Sequence, residues 1–292
     1  MKLIEPKVEL WSEENISPES HIAKCARVCY GKEAKLPDQE ADKKMVDGLI
    51  KRGHLSMLRH ATIYFRFGNV RLGDTSDWMD VCPYNNSFRP DSSCIYLSVN
   101  HQEYRFSDNF RYIGNSYTPS EILKFCETEP ELFRIFRLTF CITTQISTSR
   151  ELNRVSPNNI AERSTRYVKS DKGLEICKPW WWEMKIGSYT VSEIAKLPNY
   201  YKVIAMAWHE LEESYMELLK CGMKPENARG VLPLDTSTKV IYTYSVEQWA
   251  HIIDLRYYGR TGKPHENARI VIGMVKDQIN EFAKAHNIDY TV

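Results

Sequence analysis

The sequence predicts an α+β fold, and two segments of different periodicity support that prediction. IFRLTFCITT, residues 135–144, alternates apolar and polar residues, which is the pattern of a half-buried β-strand. YYKVIAMAWHELEESYMELLKCG, residues 200–222, places apolar residues at helical spacing and ends at a glycine. Strands and helices are partly segregated and no linker divides the chain, so we expect a single domain over residues 1–292.

The other elements follow from capping residues and periodicity. SPESHIAKCARVCY, residues 17–30, is predicted to be a helix with Ser17 as N-cap and Pro18 in its first turn. A region at about 70–117, rich in Asp, Ser and Asn, is expected to be irregular and insertion-like, with one strand candidate inside it at 94–99. We further predict helices at 38–53, 145–155, 246–258 and 266–287, and strands at 61–68, 164–170 and 238–245.

Composition and charge argue against several classes of protein. The formal net charge is +1, whereas proteins that bind long DNA or RNA usually carry a clear basic excess. No apolar run approaches the roughly 18 residues that span a membrane, and the N-terminal segment has no apolar leader. The eight cysteines contain no C-x-x-C pair, which indicates reduced thiols and a cytoplasmic protein.

The polar stretch RVSPNNIAERSTRYV, residues 154–168, is the first candidate for a binding site. It follows an apolar strand and a short helix, and loops held by rigid elements commonly carry function. Arginine binds phosphate bidentately and keeps its charge, so Arg154, Ser164 and Arg166 suit a monophosphate. A solvated, salt-bridged loop would have the same composition, and this segment alone leaves both interpretations open.

Two other arginines lie among apolar residues. Arg229 is in PENARGVLP, residues 225–233, and Arg256 is in HIIDLRYYGR, residues 251–260. A desolvated, unpaired charge is costly, so each needs a partner, which could be a core carboxylate or an anionic ligand.

Four segments together resemble the flavin-dependent thymidylate synthases. They are GHLSMLRHATIYF (53–65), SRELNRVSPNNIAERSTRY (149–167), NARGVLP (227–233) and WAHIIDLR (249–256), in the order of the family and over most of the chain. The family signature is Arg-His-Arg, seven residues, then Ser, usually continued as S-x-R-Y. Arg154, Ser164, Arg166 and Tyr167 match that signature without a gap.

The resemblance implies a specific fold, reaction and assembly. It implies a mixed sheet packed with long helices, and a homotetramer whose active sites draw on several subunits. Such an enzyme transfers a one-carbon unit from methylenetetrahydrofolate to C5 of dUMP and reduces it with a flavin hydride supplied by NADPH, without a cysteine nucleophile. The expected cofactors are therefore FAD, NADPH and methylenetetrahydrofolate, and dUMP or a related pyrimidine monophosphate is the expected ligand.

The same resemblance implies roles for particular residues. Arg256 would lie against the pyrimidine as the catalytic residue and stabilise charge that develops on the ring. His54 and Ser56 would line the flavin and folate pocket. The nucleotide would be held by Arg154, Glu162, Ser164, Arg166 and Arg229.

The departures from the family pattern fall mostly where the family contacts flavin. They are Arg59, Val155, Ser156, Ala161, Ser245, Glu247 and His251. Arg59 and Glu247 each reverse the charge that is usual in the family, so we hypothesise that the two form a compensating pair inside part of the flavin pocket. Retained flavin and a paralogue that has lost flavin but still binds or modifies a pyrimidine nucleotide both remain open.

Two further functions have weaker support. WHELEE, residues 208–213, is similar to a metallopeptidase helix, but no second histidine follows at the required spacing, so we expect no metal site. The aromatic run PWWWEM, residues 179–184, invites RNA binding. Since the chain has no RNA-recognition motif and no basic face, packing in a core or a subunit interface explains this run better, and we expect no nucleic-acid partner.

Overall fold

The computed structural model describes residues 1–32, 37–68, 86–88, 94–106, 115–157, 159–166 and 173–292. The strands are β1 (Lys2–Ile4), β2 (Lys7–Trp11), β3 (Thr62–Gly68), β4 (Asn86–Phe88), β5 (Cys94–Asn100), β6 (Ser116–Tyr117), β7 (Arg137–Gln145), β8 (Ile160–Glu162), β9 (Glu175–Cys177), β10 (Gly187–Ser188) and β11 (Ser237–Ser245). The α-helices are α1 (Pro18–Val28), α2 (Gln39–Lys51), α3 (His101–Phe106), α4 (Pro119–Thr128), α5 (Ile146–Asn153), α6 (Val191–Ile194), α7 (Asn199–Lys220), α8 (Pro225–Ala228), α9 (Val246–Ile253) and α10 (Glu266–Ala285). Short 3₁₀ turns cover Leu55–His60, Pro130–Ile135 and Arg229–Val231, and a π turn covers Asp254–Tyr258.

The predicted α+β class is confirmed, and its centre is a four-stranded sheet in the order β2–β7–β11–β8. All of its pairings are antiparallel; within the described residues the one parallel pair joins β1 to β9 in a small mixed sheet. In the central pair Phe140 lies opposite Tyr242, and Thr139 lies opposite Thr243. Side chains alternate between the two faces of a strand, so the first pair and the second pair lie on opposite faces.

The prediction that residues 135–144 form a half-buried strand is wrong in its burial. Every residue of β7 is buried. The apolar face packs against α9 and α10 in the main core, which contains Phe140, Trp249 and Val275. Helix α1 covers the other face, where Cys25 and Cys141 share a second cluster. A central strand with layers on both sides has no solvent face, and its polar side chains must find partners inside the protein.

Capping predictions for the helices are largely confirmed. Ser17 accepts a hydrogen bond from the Ser20 N–H at the start of α1, and Pro18 is the first helical residue. The predicted strand at 164–170 is not seen at 164–166, and its remaining residues lie outside the described ones. The strand occurs earlier, as β8. It ends there because the Ser164 N–H donates to Cys29 O, at the end of α1, rather than to a neighbouring strand.

The described parts of the insertion-like region contribute β4, β5 and β6 to a second sheet, in the order β4–β5–β3–β6. Cys94 and Tyr96 of β5 reach the main core. The aromatic run at 179–184 is divided between core and surface: Trp182 is fully buried and packs edge-on against Tyr201, whereas Trp180 is 53% exposed. Among the described residues, no helix has the length and apolar character needed to cross a membrane.

Candidate functional site

A polar cleft of about 330 Å³ opens between α5, the turn after β8, and the 3₁₀ turn at 229–231. Three of the five predicted nucleotide residues, Glu162, Ser164 and Arg229, line it, whereas Arg154 and Arg166 do not. Three arginines and one carboxylate give its wall an excess of positive charge. The lining residues are Ile146, Ser149, Arg150, Glu162, Arg163, Ser164, Thr165, Arg229 and Thr238.

Glu162 is fixed within the cleft by three side-chain donors. It accepts hydrogen bonds from Ser149 Oγ at 2.9 Å, Thr238 Oγ1 at 3.1 Å and Asn153 Nδ2 at 3.5 Å. Its backbone position is set by β8, where Glu162 lies opposite Val240 of β11. A carboxylate held in this way is a hydrogen-bond acceptor with a fixed orientation.

Arg229 and Arg166 are brought together by two residues that the sequence did not single out. Arg229 Nη1 donates to Thr165 Oγ1 at 3.0 Å, and Arg229 Nε donates to the Glu226 carbonyl oxygen at 3.1 Å. Arg166 Nη2 lies 3.6 Å from the carboxylate of Glu226, and its backbone N–H donates to Ser164 Oγ. Arg229 therefore lines the cleft together with the serine of the predicted signature, whereas Arg166 bonds that serine through its backbone N–H.

Arg154 and Arg256 lie at the other end of α5. Arg154 is the exposed C-cap of this helix. Arg256, in the π turn, directs Nε and Nη2 at the backbone oxygen of Glu151, each at 3.4 Å. The sequence predicted that Arg256 needs a partner, and that partner is a backbone carbonyl oxygen in the last turn of α5. The C-terminal end of a helix carries partial negative charge and therefore favours a cation. A single chain brings the four predicted arginines into two groups, joined by α5.

The predicted flavin-pocket residues, His54 and Ser56, lie at the surface in and beside the 3₁₀ turn Leu55–His60. His54 precedes the 3₁₀ turn Leu55–His60, and Ser56 is inside it; both side chains are exposed. Leu58 and His60 anchor the same turn from below, since both are fully buried. The turn thus presents one imidazole and one hydroxyl to solvent on a rigid base.

The hypothesised pair between Arg59 and Glu247 is wrong. Arg59 Nε donates to Gln102 Oε1 of α3 at 2.7 Å. Glu247, in the first turn of α9, instead pairs with Arg134. The two side chains are apart because Arg59 faces α3, while Glu247 faces the 3₁₀ turn before β7.

Several cleft residues were missed by the sequence interpretation. Arg150 was detectable, because Ile146, Ser149 and Arg150 have the i, i+3, i+4 spacing of one helix face. Thr165 and Thr238 gave no signal, since single threonines are common in strands and turns. Tyr242 supports the cleft from below: its hydroxyl donates to Asn153 Oδ1 at 2.7 Å, and burial raises its pKa well above the usual range, so it remains a donor.

The metal-like motif at 208–213 brings three potential ligands close together. Within the described residues, ligand atoms of His209, Glu212 and Glu213 lie within 4.8 Å of one another. Glu212 already accepts the Leu174 N–H at 2.6 Å, and its other carboxylate oxygen is 3.6 Å from His209 Nδ1. The arrangement holds α7 against β9 and its preceding residues, and the expectation of no metal stays a prediction.

Comparison with known proteins gives the family. A sequence model of the Thy1 family, described as thymidylate synthase complementing protein, matches residues 12–81 and 117–283. The chain belongs to this family. The match leaves out residues 82–116, which make up most of the predicted insertion-like region.

Two relatives and one solved structure illustrate the similarity. A flavin-dependent thymidylate synthase from Synechocystis is 25% identical over 150 residues, which cover 50% of this chain and 69% of that protein. One from Haloarcula marismortui is 43% identical over 44 residues, but these cover only 15% of this chain and 18% of that protein. The crystal structure of a UMP/dUMP methylase, PolB from Streptomyces cacaoi bound with 5-Br dUMP, has 17% identity and a TM-score of 0.43, over 97% of this chain and 93% of that one.

The described residues fit FAD at some positions and not at others. His54 and Ser56 present exposed polar side chains that suit a flavin. At the two charge-reversed positions, Arg59 is bonded to Gln102 and Glu247 is neutralised by Arg134. A glutamate near a diphosphate would repel it, so any FAD would depend on the 3₁₀ turn and on cationic groups other than Arg59.

Proposed function

We propose that the protein binds dUMP and transfers a one-carbon unit from methylenetetrahydrofolate to C5 of its pyrimidine. The single observation that supports this function is the cleft in which Ser164 and Arg229 surround the oriented carboxylate of Glu162. Phosphate is recognised by arginine forks and hydroxyl donors, both of which the cleft supplies. Membership of the thymidylate synthase complementing family supports the C5 chemistry.

Each residue has a proposed role in that reaction. Ser164, Arg166 and Arg229 hold the phosphate, and Arg154 adds a further cation. Glu162 accepts hydrogen bonds from the sugar or base. Arg256 lies against the pyrimidine and stabilises the negative charge that develops on the ring when C5 attacks the one-carbon donor. The side chain must leave the Glu151 carbonyl to do so, and two long contacts of 3.4 Å are a weak restraint.

The reducing side of the reaction rests on FAD and NADPH. When bound against His54 and Ser56, FAD would supply the hydride that converts the transferred carbon to a methyl group, having received it from NADPH. Because Arg154 and Arg256 are separated by α5 from Arg166 and Arg229, we also propose a homotetramer in which neighbouring subunits complete each site. Cytoplasmic location stays a prediction.

A second function is favoured by the partners of Arg59 and Glu247. In a paralogue without flavin, these side chains would have no cofactor to contact, and bonds to Gln102 and Arg134 would satisfy them within the chain. Such a protein would bind or modify a pyrimidine monophosphate without its own redox step. The visible absorbance of the purified protein separates the two: flavin bands support the synthase, and a colourless protein that stays so after incubation with FAD supports the paralogue.

The phosphate cleft is tested by calorimetric titration with dUMP and with deoxyuridine. Replacing Arg229 or Arg166 with alanine removes a charge-assisted contact worth about 1.5–3 kcal/mol, so dUMP affinity should fall roughly ten- to a hundredfold. Deoxyuridine lacks the phosphate, and its weaker binding should not change. Arg269, an exposed arginine paired with Glu266, is the matched control, and Arg269→Ala should bind dUMP normally.

The chemistry is tested by release of tritium from C5 of labelled dUMP in the presence of methylenetetrahydrofolate. Substitution at C5 requires loss of its hydrogen, so an active synthase releases label and Arg256→Ala should not. Unchanged dUMP affinity in both Arg229→Ala and Arg166→Ala would refute the cleft as the phosphate site. Binding without tritium release would favour the second function.

A further inference from the structure

A second cleft, of about 200 Å³, lies where the second sheet meets the start of α1. Residues from both sides of this junction line it. The family match omits residues 82–116, so part of its wall belongs to a segment outside that match. The lining residues are Glu13, Glu14, Ile16, Pro18, Thr62, Ile63, His101, Ser116, Tyr117, Thr118 and Pro119.

Glu13 is a buried carboxylate whose bonding capacity is only partly used. It accepts hydrogen bonds from the Thr62 N–H at 2.9 Å and from Thr62 Oγ1 at 3.2 Å. An ionised carboxylate has about four acceptor positions, so two remain. The nearest ring nitrogen, His21 Nε2, is 3.8 Å away, beyond hydrogen-bonding distance, and contacts Thr139 Oγ1 instead.

The charges around Glu13 do not neutralise it by direct contact. Burial lowers the pKa of both His21 and His60 to about 3, so neither ring carries charge near pH 7. Arg137 of β7 attracts Glu13, but its Nη2 donates to the carbonyl oxygens of Arg59 and Thr243. Burial prevails over this attraction and raises the pKa of Glu13 to about 7.

His101, which also lines this cleft, has a polar ring atom without a partner among the described residues. His101 is only 7% exposed, and among the described residues its Nδ1 has no hydrogen bond. Burial lowers its pKa to about 4, so the ring is neutral and has one acceptor nitrogen. The nearby charges of Glu19 and Arg105 are paired with each other.

We propose that this cleft binds a small organic ammonium ion, with the Glu13 carboxylate as counter-ion and the His101 ring as a second acceptor. Ile16, Ile63 and Pro119 supply apolar walls for a short carbon chain. The volume is below the roughly 300–1,000 Å³ of drug-sized pockets, which limits the ligand to a few heavy atoms.

A metal ion fits the cleft less well than an ammonium ion. Within the described residues, His209, Glu212 and Glu213 bring three ligand atoms within 4.8 Å of one another, whereas Glu13, Glu14 and His101 do not. Glu14 is also occupied, because it accepts from Ser12 Oγ and contacts His286 Nε2 at 3.0 Å. An ammonium ion can bridge acceptors that are more widely spaced than the ligands of a metal ion, since it reaches them through three N–H donors.

The test uses n-butylammonium as the probe and 1-butanol as its uncharged counterpart. Binding to the full chain is measured at pH 8 by ligand-observed NMR titration and by the shift in Tm. Butylammonium should bind saturably and raise Tm, and 1-butanol should do neither at the same concentrations. Lowering the pH to 6 protonates Glu13 and should weaken the binding.

Two variants and one control locate the site. Glu13→Gln should weaken butylammonium binding at least tenfold, and His101→Phe, which keeps the ring packing, should weaken it severalfold. Glu9→Gln removes a surface carboxylate that pairs with Lys7, and it should bind like the parent protein. Equal affinity in all three variants, equal binding of 1-butanol, or binding of Mg²⁺ in place of butylammonium would each overturn the proposal. None of these outcomes depends on dUMP.

Discussion

The ion pair between Arg27 and Asp42 joins α1 to α2 and allows a sharp test of the energetics. The Asp42 side chain is fully buried and that of Arg27 is 6% exposed. Asp42 also accepts the Asp38 N–H at 3.2 Å, so its carboxylate orders the start of α2 as well. Replacing Asp42 with asparagine preserves the size of the side chain but leaves the Arg27 charge buried without a counter-ion.

The expected cost of Asp42→Asn is about 3–5 kcal/mol, the usual result of removing one partner of a buried pair. The same helix offers a control two residues away, where Glu40 pairs with Lys44 and the side chains are 81% and 74% exposed. Glu40→Gln should cost at most about 0.5 kcal/mol, because water screens an exposed pair. Equal charge is removed from α2 in both variants.

The measurement is the midpoint of urea unfolding. An unchanged denaturant slope confirms that the same amount of surface is exposed on unfolding in each variant. A further variant separates charge burial from packing: the double change Arg27→Met with Asp42→Leu removes both charges and should recover most of the loss. The reasoning fails if Asp42→Asn and Glu40→Gln differ by less than about 1 kcal/mol, since burial would then not control the strength of the pair.

Two further predictions concern pH and backbone conformation. Folding lowers the pKa of His21 and His60 to about 3, so the stability that these neutral rings contribute is lost as pH falls below about 6.5. Folding raises the pKa of Glu13 to about 7, so the stability that its protonated form contributes is lost as pH rises from about 4.5 to 7. Urea midpoints should therefore peak near pH 6.5–7, and the Glu13→Gln variant should gain about 3 kcal/mol relative to the parent between pH 4 and 8; a pH-independent difference would contradict this. Gly259 has φ +70° and a β-carbon there would lie 3.0 Å from Pro264, whereas Gly222 has φ +86° with nothing within 4 Å, so Gly259→Ala should lower Tm more than Gly222→Ala.

The fold was predictable where local signals were strong. Ser17 and Pro18 specify the start of α1, and the glycine at 222 lies just past the end of α7, because caps and positive φ depend on neighbouring residues alone. The burial of β7 was not predictable. Its alternation is real, but the polar side chains Arg137, Thr139 and Thr143 face a second layer that arises only when α1 folds over the sheet.

The sequence identified three residues that line the cleft, Glu162, Ser164 and Arg229, but not how they are arranged. The spacing of Ser164 and Arg166 placed both in one turn. The prediction that Arg229 is desolvated is wrong, because its side chain is exposed, although it does have hydrogen-bond partners. Nothing in the sequence showed that Thr165 would be one of those partners, or that Arg256 would bond a backbone oxygen. Both facts depend on how distant segments meet, which single-sequence periodicity does not contain.

Helix α5 connects the two groups of arginines and limits how a nucleotide can be held. Its eight residues span about 12 Å at 1.5 Å per residue. Its first residues are fixed by bonds from the Ile146 and Ser147 N–H groups to the carbonyl oxygens of Thr236 and Leu234, and its last residue is fixed by Tyr242. Ile146, Ser149 and Arg150 of this helix line the cleft, and its Glu151 carbonyl oxygen accepts from Arg256, so the cleft and Arg256 keep a fixed relation within a chain. A nucleotide too short to reach both groups within one chain would need a neighbouring subunit to supply one of them, and this is the basis of the proposed homotetramer.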